Sequence, residues 1–168
     1  MKLVLGTVQL GLDYGITNNS GKPTLIDSLE IIKYALDNNI NLFDTARAYG
    51  DSECILGLAK KKHKDLNIIT KLDPLNDIND TTTKEEIYKM IDTSINTSIK
   101  NLNIDIIETF IVHRFNHFNN KVIWNHLLQN KKIKNLGVSI YYVEQAIEAL
   151  NDDTIKFGEF SNLILKNN

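Results

Sequence analysis

The stretch Asn67-Ile68-Ile69-Thr70-Lys71 decides the fold. It is short and continuously apolar rather than alternating, the pattern of a strand covered on both faces. Such strands belong to parallel sheets, and each parallel neighbour is reached through a crossover, usually a helix. The same kind of run recurs on either side. Upstream lie Leu3-Val4-Leu5 and the segment Ile40 to Asp44; downstream lie Ile106 to Val112, Leu136-Gly137-Val138-Ser139 and Ile155-Lys156-Phe157. Stretches of helical period separate them. A helix begins after Thr24, capped with Asp27 three residues on, and Leu25, Leu29, Ile32 and Leu36 mark its buried face. A shorter helix capped by Ser52 turns Ile55, Leu56 and Ala59 inward and ends in the basic run Lys60 to Lys64. Thr83 and Glu86 form a capping box that opens a helix striped by Ile87, Ile91, Ile95 and Ile99. Val122, Ile123, Leu127 and Leu128 mark a fourth helix; Val143, Ala146, Ile147 and Leu150 mark a fifth. The chain therefore reads as α/β, with five strand-helix units and a sixth strand. The sheet is parallel, either open and doubly wound or part of an eight-stranded barrel.

The composition removes several functional classes. Nineteen Lys and Arg stand against 21 Asp and Glu, a balance too even for a nucleic-acid surface. No run approaches the roughly 20 apolar residues of a membrane span, and the start of the chain is too short for a signal-peptide core, so the expected location is cytoplasmic. One cysteine, Cys54, excludes an intrachain disulfide; it is expected to serve as a small buried apolar side chain. With no linker or low-complexity block, residues 1–168 read as a single domain.

Polar side chains collect where the strands end. Asp44 closes the second strand, Tyr49 follows in its loop, Lys71 closes the third, His113 follows the fourth and Ser139 closes the fifth. In parallel α/β folds the active site lies at the carboxyl ends of the strands, so residues placed there independently weigh more together than apart. Taken singly, Asp44 caps a loop or binds a partner, Tyr49 is a packed aromatic or an acid, and His113 is a polar strand end or a ligand. Lys71 is a solvated terminus or a desolvated ammonium that needs a carboxylate. Taken together they fit a phenol made labile by an ammonium, the ammonium held by a carboxylate, and an imidazole ready to hydrogen-bond a carbonyl oxygen. Gly6, Gly11 and Gly15 match neither phosphate-binding fingerprint. His113 and His117 fall in what reads as a loop, with no acidic or cysteine ligand at metal spacing, so no metal is expected.

Phe43-Asp44-Thr45-Ala46, Tyr49-Gly50, Ile69-Thr70-Lys71, Ile111-Val112-His113 and Gly137-Val138-Ser139 occur in this order, and with Leu5-Gly6-Thr7-Val8-Gln9-Leu10-Gly11 before them the chain resembles the aldo-keto reductases. The resemblance covers residues 3 to about 162. It implies a TIM-type barrel and NADPH-dependent reduction of an aldehyde or ketone, with NADH left open as the cofactor. Tyr49 would be the general acid, Lys71 paired with Asp44 would tune it, and His113 would orient the carbonyl. Gly6, Thr7, Asp44 and Ser139 would face the cofactor, although Ile140 stands where many relatives have Asn. Asn162 resembles the end of the family's sixth strand. The opening segment is also similar to reductases found with surface-sugar biosynthesis, which implies a sugar-derived carbonyl substrate.

A closed barrel takes at least about 200 residues, so the 168 here are expected to form an incomplete one that lacks strands seven and eight. Two other readings follow. A truncated, inactive homologue or half-barrel would associate with itself through open sheet edges. An aldolase-like barrel would use Lys71 as a Schiff-base nucleophile.

Overall fold

The computed structural model describes residues 3–160. Six strands, β1 (Leu5–Gly6), β2 (Leu42–Asp44), β3 (Asn67–Lys71), β4 (Ile107–Val112), β5 (Ile133–Ile140) and β6 (Phe157–Phe160), form one sheet in the order β1-β2-β3-β4-β5-β6. Every neighbouring pair is parallel. That order settles which parallel architecture is present. A doubly wound sheet reverses its strand order at a switch point, whereas here each crossover steps to the next strand in one direction and the sheet curls as an incomplete barrel.

Among the described residues, seven helices accompany the strands: α1 (Val8–Gly11), α2 (Leu25–Asp37), α3 (Ser52–Lys62), α4 (Lys84–Leu102), α5 (Phe115–Asn119), α6 (Lys121–Leu128) and α7 (Val143–Leu150). The expected capping devices form at two of them. Thr24 accepts a hydrogen bond from the amide of Asp27. Thr83 and Glu86 exchange the two bonds of a capping box, and Ile87, Ile91 and Ile95 of α4 are buried. No helix among the described residues is long and apolar enough to cross a membrane.

Alternate strand residues divide between two layers. Phe43 and Ile68 pack outward with Ile32, Leu56 and Ala59 in a smaller core beneath α2 and α3. Phe110, Leu136 and Val138 pack into a larger core with Ile91, Ile95, Trp124 and Leu127 beneath α4 to α7. Ile69 and Ile111 are buried but belong to neither cluster, which places them on the concave face. The strand register puts Asp44, Lys71, Ser139 and Glu159 on that face too, nearer the carboxyl ends.

Several expectations change. Ser52 is the first residue of α3 rather than its cap, because its hydroxyl is drawn into bonds with Thr7. Cys54 is exposed, since Ile55, Leu56 and Ala59 claim the inner face of α3. In α7, Ala146 and Ala149 face the core while Val143 and Leu150 are 70% and 83% exposed. Small side chains there seat the helix on the sheet. The segments read as loops after β1 and β4 contain α1 and α5, where Leu10, Phe115 and Phe118 reach the core. The sixth strand lies at Phe157–Phe160, beginning two residues later than expected. Asn162 is outside the described residues.

Candidate active site

At the carboxyl ends of β2 and β3 an ammonium is buried and matched by acceptors. The Lys71 side chain is 1% exposed, and its Nζ donates to Asp44 Oδ1 at 2.5 Å, to Asp44 Oδ2 at 2.7 Å and to the Thr45 carbonyl at 3.1 Å. Burial alone would lower the Lys71 pKa. The charges of Asp44, Glu159 and Tyr49 and the hydrogen bond to Asp44 outweigh it and hold the pKa above its ordinary value. Lys71 is therefore a fixed positive charge at neutral pH.

A buried hydroxyl chain sets Asp44. The Thr7 amide and Oγ1 both donate to the Asp44 carbonyl, at 2.9 Å and 2.8 Å. Ser52 Oγ lies 2.7 Å from Thr7 Oγ1 and accepts from Thr45 Oγ1 at 2.9 Å. Three hydroxyls, from the residues just after β1 and β2 and from the first residue of α3, thus fix the backbone on which the carboxylate hangs.

Tyr49 occupies the turn between β2 and α3. Gly50 has φ +54°, a left-handed conformation that glycine adopts without cost, and Gly11 of α1 lies directly against the turn. A Cβ on Gly11 would stand 1.7 Å from the Tyr49 carbonyl oxygen, so only glycine permits this approach. The Tyr49 ring is held 5.2 Å from Lys71 Nζ and edge-on to His113, with ring centroids 5.9 Å apart. Burial raises the phenol's pKa, Lys71 lowers it, and Asp44 and Glu159 raise it again; the net direction is upward. The phenol keeps its proton at neutral pH.

His113 stands immediately after β4. Burial, then the charges of Lys71 and Arg114, lower its pKa to about 4 against the pull of Asp73. The imidazole is neutral at pH 7, and its Nδ1 is buried without a hydrogen-bond partner among the described residues. The four groups Asp44, Tyr49, Lys71 and His113, read separately from the sequence, converge at one mouth. The arrangement couples a protonated phenol to a permanent cation, with a neutral hydrogen-bonding ring facing it.

The residues expected to face a cofactor divide. A Cβ built on Gly6 meets nothing within 4 Å, so the floor over β1 is open. Thr7 is wholly buried and its hydroxyl is spent on Asp44 and Ser52. Ser139 is buried at the end of β5. A cavity of about 590 Å³ between the loop after β3 and α4 is a separate feature, lined in part by Arg47, Asp73 and Lys89 but by none of the four converging groups.

Two parts of the site escaped sequence reading. Glu53 is fully buried in the first turn of α3, where it accepts from Thr70 Oγ1 at 2.8 Å and from Arg47 and Asn101 at 3.2 Å each. Glu159 of β6 reaches Lys71, with 3.3 Å between Oε2 and Nζ. The signal for Glu53 was an acid in a helix start facing Thr70, one residue before Lys71. Glu159 lies two residues past the segment Ile155-Lys156-Phe157 that reads as the sixth strand.

A sequence model described as the aldo/keto reductase family matches residues 2–162. Aldo-keto reductase AMT2 of Alternaria alternata is 27% identical over 151 residues, covering 71% of this chain and 41% of that protein. Two solved structures of putative aldo-keto reductase from Pseudomonas aeruginosa superpose with TM-scores of 0.70 and 0.69 at 29% and 27% identity. Each covers 89% of this chain, and the chain covers 59% and 58% of them. The chain thus spans less than two thirds of the length of these relatives.

Proposed function

The chain belongs to the aldo/keto reductase family, and from that premise we propose that its site reduces an aldehyde or ketone with NADPH, Tyr49 acting as the general acid. The observation that carries the reading is the Tyr49 phenol beside an ammonium that two oxygens of Asp44 hold charged. The residues present suit a reduced nicotinamide: open space over Gly6, with Ser139 and Asp44 on the same face, would receive it. When bound, that cofactor supplies the hydride.

The chain's own residues supply the proton and its control. Tyr49 gives its O–H proton to the carbonyl oxygen as that oxygen gains negative charge, and the phenolate left behind faces the Lys71 ammonium, which stabilises it. Solvent returns the proton. His113, neutral at working pH, offers a hydrogen bond that orients the carbonyl without adding a competing charge. Thr7, Ser52 and Thr45 keep Asp44 from drifting, so Lys71 has one position. The Schiff-base alternative loses support here, because it needs an amine of depressed pKa and Lys71 is shifted the other way.

The test is NADPH oxidation with a panel of aldehydes and ketones, sugar-derived ones first, comparing the wild type with Tyr49→Phe. Removing the proton donor should lower kcat by about 10²- to 10⁴-fold while leaving the melting temperature and NADPH binding unchanged. Equal turnover in the two proteins would remove Tyr49 from the mechanism.

A further inference from the structure

We propose that Glu159, on β6, is a further positioning residue of this site, acting on Tyr49 through Lys71 by closing the ammonium between two carboxyl groups and setting the net charge that the phenol meets. The inference deepens the reductase reading and rests on it for its catalytic consequence. Its geometric basis is independent. The hydrogens of Lys71 are aimed at Asp44 and the Thr45 carbonyl, so Glu159 Oε2, at 3.3 Å, meets the ammonium as an ionic neighbour. That oxygen is buried yet accepts no hydrogen bond. A carboxylate oxygen left so is costly, and a proton donated toward Asp44 relieves it.

The titratable groups that face Glu159 are Asp44 from β2, Tyr49 from the loop after β2, and Lys71 from β3, while β5 places Ser139 at the paired position. Burial raises the Glu159 pKa, Lys71 lowers it and Asp44 raises it again, with the net direction upward. With a proton on Glu159, the ion pair Asp44–Lys71 is neutral overall and the full ammonium charge acts on the phenol. Once Glu159 ionises, the cluster carries one net negative charge and opposes formation of the phenolate. Glu159 is thus the group through which pH reaches the acid without touching substrate.

The experiment reads Tyr49 directly. The alkaline titration of tyrosinate absorbance is recorded for the wild type, Y49F, E159Q, E159D and K71M, and subtracting Y49F isolates the Tyr49 phenol. The charge of Glu159 raises the Tyr49 pKa, so E159Q, which removes that charge, should lower the Tyr49 midpoint by about half a unit to one unit. E159D, which keeps the charge but withdraws it, should lower it by less, and K71M should raise it. An unchanged or raised midpoint in E159Q, alongside the expected rise in K71M, overturns the proposal. If E159Q fails to fold, an unmoved midpoint in E159D does so. Where the chain reduces carbonyls, the alkaline limb of kcat should shift with the midpoint at nearly constant KM; a wild type without turnover would sink the reductase reading while leaving the titration intact.

Discussion

Around β2 and β3, buried side chains are joined by hydrogen bonds as well as by apolar contact; around β4 and β5 they pack almost wholly by apolar contact. The first region spends Thr7, Thr45, Ser52, Glu53 and Thr70, all fully buried, on two polar clusters, one joining Thr7, Ser52 and Thr45 and the other centred on Glu53. The second buries Phe110, Trp124, Leu127, Leu136 and Val138 with few polar groups among them. Apolar contact is strong but non-directional, so it stabilises the fold without fixing a side chain to within tenths of an ångström. A satisfied polar network does the reverse, adding modest net stability while allowing one arrangement. The groups needing exact placement, Asp44, Lys71 and Tyr49, lie over the polar region. His113, whose proposed part is a single hydrogen bond, stands at the edge of the apolar one.

The comparison breaks most visibly at Glu53→Ala. This carboxylate ties α3 to Thr70 of β3, to Arg47 in the Tyr49 loop and to Asn101 of α4. Removing it leaves Arg47 without its anion and Thr70 without its acceptor, which should cost about 3 kcal/mol because Arg47 is partly exposed and the loss falls at the low end for a buried pair. Turnover should fall as well, since the same bonds seat Tyr49 and Lys71. Denaturant melts combined with kcat measured well below the melting temperature separate the two losses. If stability falls while kcat per folded molecule is unchanged, the network supports the fold and not the site.

In the other region the opposite separation is expected. Ile91 is fully buried in α4 within the larger core, and Ile91→Ala should destabilise by about 2 to 4 kcal/mol through lost burial and a residual cavity. The folded fraction should keep its kcat. A large loss of kcat at low temperature would show that the apolar layer also sets the geometry of the mouth.

How far each region was legible in the sequence follows from the same contrast. The run Asn67–Lys71 and the stripe Ile87, Ile91, Ile95 read correctly because burial marks the sequence, as an unbroken run in a strand covered on both faces and as a helical period in α4. The four residues at the strand ends could be grouped from the sequence because parallel topology brings strand ends together, and the structure places them at one mouth. What the sequence did not show were the contacts that reach across elements. Ser52 looks like a helix cap until Thr7 is found beside it. Glu159 looks like a surface acid until β6 lies beside β5 and its side chain meets Lys71. The inner face of α7 misread because alanines at 146 and 149 form it, and alanine carries little signal beside Val143 and Leu150.

The smallest effect expected is one of pH, and it tests the apolar region from within. His117 of α5 is 6% exposed, its Nδ1 has no partner among the described residues, and burial, then Arg114 and His113, lower its pKa to about 4. A histidine held neutral in the folded state contributes nothing against the unfolded chain above about pH 6.5, where both forms are uncharged. Below that the unfolded chain takes up the proton and the folded one does not, so stability falls as pH drops from about 6.5 toward 4 and levels off beneath it. His117→Asn, which cannot take that charge, should flatten part of the decline, a difference of a few degrees in melting temperature confined to that window. His113 titrates over the same range and retains its share in the variant. Superimposable melting curves for the two proteins across the window would mean that α5 opens to water before His117 is charged, and that the apolar packing there is looser than its burial implies.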